Sequence, residues 1–118
     1  MSIKRLHVGP RMSQAVIHGS VVYLAGQVAN NTKGQSVAAQ THDILTAIDA
    51  LLKEAGTDKT KLLTAQIWLT SMGTFAEMNS EWDKWVAPGH TPARATVQSP
   101  GLAAPGYDVE IMVTAALY

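Results

Sequence analysis

The sequence predicts an α+β fold in which one mixed β-sheet carries two helices on one of its faces, built as a single domain from residues 1–118. Three observations predict it: short branched and aromatic runs alternate with two amphipathic stripes of helical period, a strand separates those stripes, and the last strand is apolar on both faces.

Two apolar runs, Gln14–Ile17 and Val21–Val28, flank His18-Gly19-Ser20, where glycine supplies an inexpensive turn, and together they predict a β-hairpin. A further strand is expected before it at Ile3–Val8. From Ser36 onward, Val37, Ile44, Leu45, Ile48, Leu51, Leu52 and Ala55, with Thr41 in part, recur at the spacing of one helix face that ends at Gly56. After a polar turn at Thr57–Thr60, Leu62–Thr70 has strand composition. Thr74 and Glu77 have the spacing of a capping box, and Phe75, Met78, Trp82, Trp85 and Val86 continue at helical period until Pro88. Strands at Ala93–Gln98 and Tyr107–Leu117, joined through Pro100–Gly106, complete the chain.

In the last strand Tyr107, Val109, Ile111, Val113, Ala115 and Leu117 share a face, yet Met112 and Ala116 make the other face partly apolar. In the 62–70 strand Leu63, Ala65, Ile67 and Leu69 point one way, Leu62 and Trp68 the other. Two helices cover one sheet face, so the second face calls for other copies of the chain, and a homo-oligomer is expected.

The composition excludes several classes. Without cysteine there are no disulfides, thiol nucleophiles or thiolate metal sites. No apolar run reaches the roughly 18 residues of a membrane span, and the start of the chain lacks a secretory pattern, so a cytoplasmic location is expected. Nine basic residues balance nine acidic ones, which leaves no field to draw in nucleic acid or an anionic membrane surface.

Arg94 is the principal candidate for chemistry. Alternation sets Ala93, Ala95 and Val97 on one face of their strand and Arg94, Thr96 and Gln98 on the other, which directs Arg94 away from the helices. A guanidinium buried there needs a planar anion. Two partners satisfy that need: the carboxylate of a small acid held by two parallel hydrogen bonds, or an intersubunit ion pair with Asp108 or Glu110. His7, His18, His42 and His90 have no metal-ligand spacing. His90, four residues before Arg94, is either a general acid or base folded over that site or a solvated loop histidine. Gly26 heads no phosphate loop and reads as a place of close backbone approach, so no cofactor and no metal are expected.

Three segments together resemble the Rid/YjgF family of reactive-intermediate deaminases: Val22-Tyr23-Leu24-Ala25-Gly26-Gln27-Val28, then Phe75-Ala76-Glu77-Met78-Asn79 with Trp82, and Thr91-Pro92-Ala93-Arg94-Ala95-Thr96-Val97, followed by the Val109-Glu110-Ile111 strand. The resemblance implies a chorismate-mutase-like α+β fold and a homotrimer with sites in clefts between subunits. It also implies that Arg94 grips the carboxylate of a 2-imino acid while water attacks the imine carbon, releasing ammonia and a 2-keto acid. The backbone near Gly26 and Thr96 would line that pocket. Where the deaminase subgroup carries an early tyrosine, a serine before the Gly-Gln pair and a water-positioning glutamate on the last strand, this sequence has Met12, Ala25 and Met112. Glu110 shares the face of Met112 but stands about 6.6 Å along the strand, so its use in place of that glutamate requires rearrangement. The resemblance therefore supports two functions, an imine deaminase preferring larger hydrophobic side chains, or a non-catalytic protein that binds keto or amino acids. The family's ribonuclease label finds no support in a neutral chain without a basic stripe.

Overall fold

In the computed structural model, which describes residues 2–118, the strictest alternation in the sequence becomes the middle of the sheet. Val109, Ile111, Val113 and Ala115 of β7 (Val109–Ala116) are all 0 % exposed, while Glu110, Met112 and Thr114 point to the opposite face. The sheet order is β1-β2-β3-β7-β5-β6, with β4 also paired to β7, where β1 is Ile3–Val8, β2 Ser13–His18, β3 Val21–Leu24, β4 Gln27–Val28, β5 Leu62–Leu69 and β6 Ala93–Gln98. All pairings are antiparallel except β5 with β6, the pair joined through the second helix.

Helix α1 (Val37–Ala55) buries Ile44, Leu45, Ile48, Leu51 and Leu52. Ser36 accepts a hydrogen bond from the Ala39 amide at its start, and Gly56 ends it with φ 92°, a conformation that costs glycine little. Helix α2 (Phe75–Trp85) packs beside α1 and buries Met78 and Trp82. Both helices lie on the face of β7 that carries the valines, as expected.

Four expectations need correction. The run Val21–Val28 is broken at Ala25-Gly26: Tyr23 pairs with Thr114 and Gln27 with Ile111, so four steps on one strand oppose three on the other and a bulge absorbs the excess. A second bulge at Leu63 takes that residue out of phase with Ala65, so Leu62 is buried and Leu63 is exposed. The final strand is shorter than Tyr107–Leu117 at both ends. Lastly, no capping box forms. The Thr74 hydroxyl donates to the Ser71 carbonyl, and Glu77 Oε2 instead accepts from the Ala38 amide of α1 at 2.8 Å. A helix N-terminus on a neighbouring element outcompeted the local one for the same carboxylate.

Gln40 is fully buried and fastens the 100–106 connection: its Nε2 donates to the carbonyls of Gln35 and Gly106, both at 3.0 Å, and its Oε1 accepts from the Asp108 amide at 2.9 Å. Replacing it by leucine removes a partner from three part-buried backbone groups. Gln40→Leu is expected to cost about 2–4 kcal/mol, a drop in Tm on the order of 10 °C that thermal unfolding would measure.

Candidate functional site

Arg94 stands on β6, an edge strand, and its register sets its direction. It pairs with Ala65 of β5, which in turn faces Val113 in the core, so Arg94 lies on the helix side of the sheet and not away from it. This overturns the orientation read from the alternation. Ala93, Ala95 and Val97 look like a core-facing stripe, yet they occupy the uncovered face, where small apolar side chains are also suited. At the margin of the helix layer the long arginine meets α2. Its Nη1 donates to Asn79 Oδ1 at 2.9 Å, and its guanidinium lies 5.2 Å from the ring centre of Trp82 and 5.8 Å from that of Phe75. Aromatic faces attract the cation without consuming its donors.

Among the described residues no carboxylate lies within ion-pair reach of Arg94. Asp108 is engaged elsewhere, accepting from the Thr70 hydroxyl at 2.8 Å. Arg94 is therefore held by a neutral amide on one edge, leaving its remaining N–H groups available for a planar acid.

Glu110 forms a second centre. Its side chain rests against Gly26, filling the space that a Cβ at residue 26 would occupy, so glycine at the bulge is what admits the carboxylate. Burial pushes the Glu110 carboxyl above its ordinary value. The glutamate lies against Gly26, and Met112 stands one step further along the same face, 41 % exposed. Next to Gly26, Gln27 Nε2 donates to Gln14 Oε1 at 2.9 Å and to the Ala25 carbonyl at 3.0 Å, which fixes the bulge.

The other sequence candidates scatter. Thr96 shares the face of Arg94, and its hydroxyl is buried with no hydrogen-bond partner. Met112 lines a cavity of about 450 Å³ on the open face with Tyr23, Gln66 and Thr114, which Arg94 borders. Met12 lies in the β1–β2 turn, where its carbonyl accepts from the Gly9 amide, and its side chain is 49 % exposed. His90 sits in an exposed turn near Asp58, whose carboxyl is held low chiefly by hydrogen bonds from Thr60, with a lesser contribution from His90. The structure thus brings together Arg94 with Asn79, and Glu110 with Gly26, but not His90 with either. Asn79 is the residue that sequence reasoning did not single out. Phe75, Asn79 and Trp82 stand at i, i+4 and i+7 on one helix face, a spacing that could have revealed it.

Arg94 and Glu110 do not meet within one chain. Strand β5 lies between them, which separates them by about 9.6 Å across the sheet and about 10 Å along it, on opposite faces.

This sheet order, backed by two helices on one face, is the chorismate-mutase-like α+β class, and solved YjgF structures share it. A YjgF-family protein from Neisseria meningitidis superposes with a TM-score of 0.95 at 45 % identity, covering 100 % of this chain and 97 % of that one. An uncharacterised protein from Pseudomonas aeruginosa does so with a TM-score of 0.94 at 35 % identity, covering 99 % and 100 %. The chain belongs to the YjgF family, whose sequence model, described as Endoribonuclease L-PSP, matches residues 2–117. Curated relatives include a RutC family protein from Haemophilus influenzae, 42 % identical over 98 % of each chain, and the RutC family protein YoaB from Escherichia coli, 42 % identical over 99 % of this chain and 100 % of that one. No helix among the described residues is long and apolar enough to cross a membrane.

A carboxyl whose pKa is raised by folding binds protons more tightly in the folded state, so its ionisation opposes folding once pH exceeds the unfolded value. Glu110→Gln is accordingly expected to raise Tm at pH 8. The gain should shrink as pH falls through the raised pKa, and vanish below the ordinary value of 4.5. Gly26→Ala is expected to displace the carboxylate toward water and return its pKa toward that value, measurable by carbon NMR titration of Glu110.

Proposed function

We propose that this protein hydrolyses 2-imino acids to 2-keto acids and ammonia, at sites formed where Arg94 of one subunit meets Glu110 of another in a homotrimer. The observation that carries this reading is the state of Arg94, a guanidinium backed by two aromatic rings and oriented by a neutral amide, with no acidic partner among the described residues of its own chain. Family membership supports the assembly, and so does the open sheet face, on which Tyr23, Met112 and Val97 are 48 %, 41 % and 45 % exposed.

Arg94 holds the substrate carboxylate by two charge-assisted hydrogen bonds, which places the imine carbon in the cleft. Glu110 acts as the general base: it takes a proton from water as the oxygen adds to that carbon. Glu110 returns that proton to nitrogen, which gives the carbinolamine, then takes the hydroxyl proton and passes it to the amine, so that the C–N bond breaks and ammonia leaves as the C=O bond forms. Imines hydrolyse unaided, so orientation and one proton relay suffice and no cofactor enters the scheme. The apolar cavity beside Met112 suits larger hydrophobic side chains. We place this activity in the cytoplasm.

Ammonia release from imino acids generated in situ by an amino-acid oxidase tests the reading. The protein should accelerate it, faster on the leucine-derived than on the alanine-derived imine; equal rates would contradict the side-chain preference. Arg94→Ala should lower kcat/KM by about 10²- to 10⁴-fold, the equivalent of two charged hydrogen bonds. Glu110→Gln should lower kcat by about 10²- to 10⁴-fold. Keto-acid binding without acceleration on any side chain would establish a binding or regulatory protein instead.

A further inference from the structure

Helix α2 carries two polar groups that face different neighbours. Asn79 orients Arg94 across the margin of the sheet, while Glu77, two residues earlier, reaches the first turn of α1 and accepts from the Ala38 amide at 2.8 Å. Two residues are about 200° around a helix, so these side chains leave α2 on nearly opposite sides. Between them, Met78 and Trp82 point into the core. Apolar contacts of that kind resist separation of the helix from the sheet but tolerate small rotations about its axis, because they are not directional. A hydrogen bond at each flank does set the rotation.

The Ala38 amide is one of the donors that the start of a helix leaves unpaired, and the adjacent one at Ala39 is already satisfied by Ser36. The carboxylate also meets the positive end of the α1 dipole there, which strengthens the contact. Thr74 provides no side-chain cap to α2 itself, so Glu77 is committed to α1 and not to its own helix.

We infer that Glu77 is a positioning residue for the anion site: by bonding to the start of α1 it sets the rotation of α2, and with it the point at which Asn79 meets Arg94. This rests on the reading of Arg94 as a carboxylate anchor. The chemistry of the link also distinguishes among substitutions. Glutamine keeps an acceptor of the same reach, whereas aspartate keeps the charge but falls short by one methylene.

Isothermal titration with 4-methyl-2-oxopentanoate tests this, on the parent and on Glu77→Gln, Glu77→Asp, Glu77→Ala, Asn79→Ala and Arg94→Ala. Glu77→Asp and Glu77→Ala should each weaken Kd by about 3- to 10-fold, the factor set by loss of one cap-scale interaction. Glu77→Gln should bind like the parent, and adding Glu77→Ala to Asn79→Ala should weaken binding no further. If Glu77→Ala fails to fold, the aspartate and glutamine variants carry the same comparison. A lowered Tm with unchanged Kd, or additive effects with Asn79→Ala, would overturn the inference while leaving the anchor reading intact. Undiminished binding by Arg94→Ala would overturn the anchor and the inference together.

Discussion

Strand β7 is the constraint on which the rest of the molecule is built, because β3, β4 and β5 all pair with it. Its Val109, Ile111, Val113 and Ala115 face needs a cover, and α1 supplies it with the stripe running from Ile44 to Leu52. Period-2 geometry then puts Glu110, Met112 and Thr114 on the far side with no choice in the matter. A one-residue slip would exchange the two sets and bury the glutamate in the core. Register and chemistry are thus specified by the same pattern.

The two bulges adjust what that rigid strand would otherwise dictate. At Ala25-Gly26 the extra residue lets the backbone bow away from β7, and the absence of a side chain on Gly26 leaves a niche filled by Glu110. At Leu63 the extra residue brings Thr64 opposite Thr114, where the two hydroxyls bond at 2.6 Å across the open face. Bulges re-aim side chains without rebuilding a sheet, and here each serves the face that the helices leave bare.

Legibility in the sequence followed from how many neighbours a segment has. The α1 stripe and the alternation of β7 were readable because both elements are packed along their length, so burial enforces period. Strand β6 was not. An edge strand with alanine and valine on one side and arginine and threonine on the other invites the assumption that the apolar side faces the core, yet pairing with Ala65 sets the reverse. The Thr74-to-Glu77 spacing misled for a related reason: a local pattern cannot show that a second helix start lies closer in space. Gly26 was recognisable as a site of close approach, though that the approaching group is the side chain of Glu110 depends on a bulge that no local signal marks. Arg94 stood out by its chemistry, but its partners on α2 required the fold.

Strand β6 has one hydrogen-bonded neighbour, and its outer amides and carbonyls have none within the sheet. Elements of that kind open first in the native ensemble, ahead of strands held on both sides. The guanidinium therefore rides on the least tethered strand at that side of the sheet, steadied mainly by its own contacts with Asn79, Phe75 and Trp82. Whatever seats on Arg94 stabilises the closed form of that edge by mass action. Occupancy of the arginine and order along the border of the sheet are then one equilibrium, observed at two places.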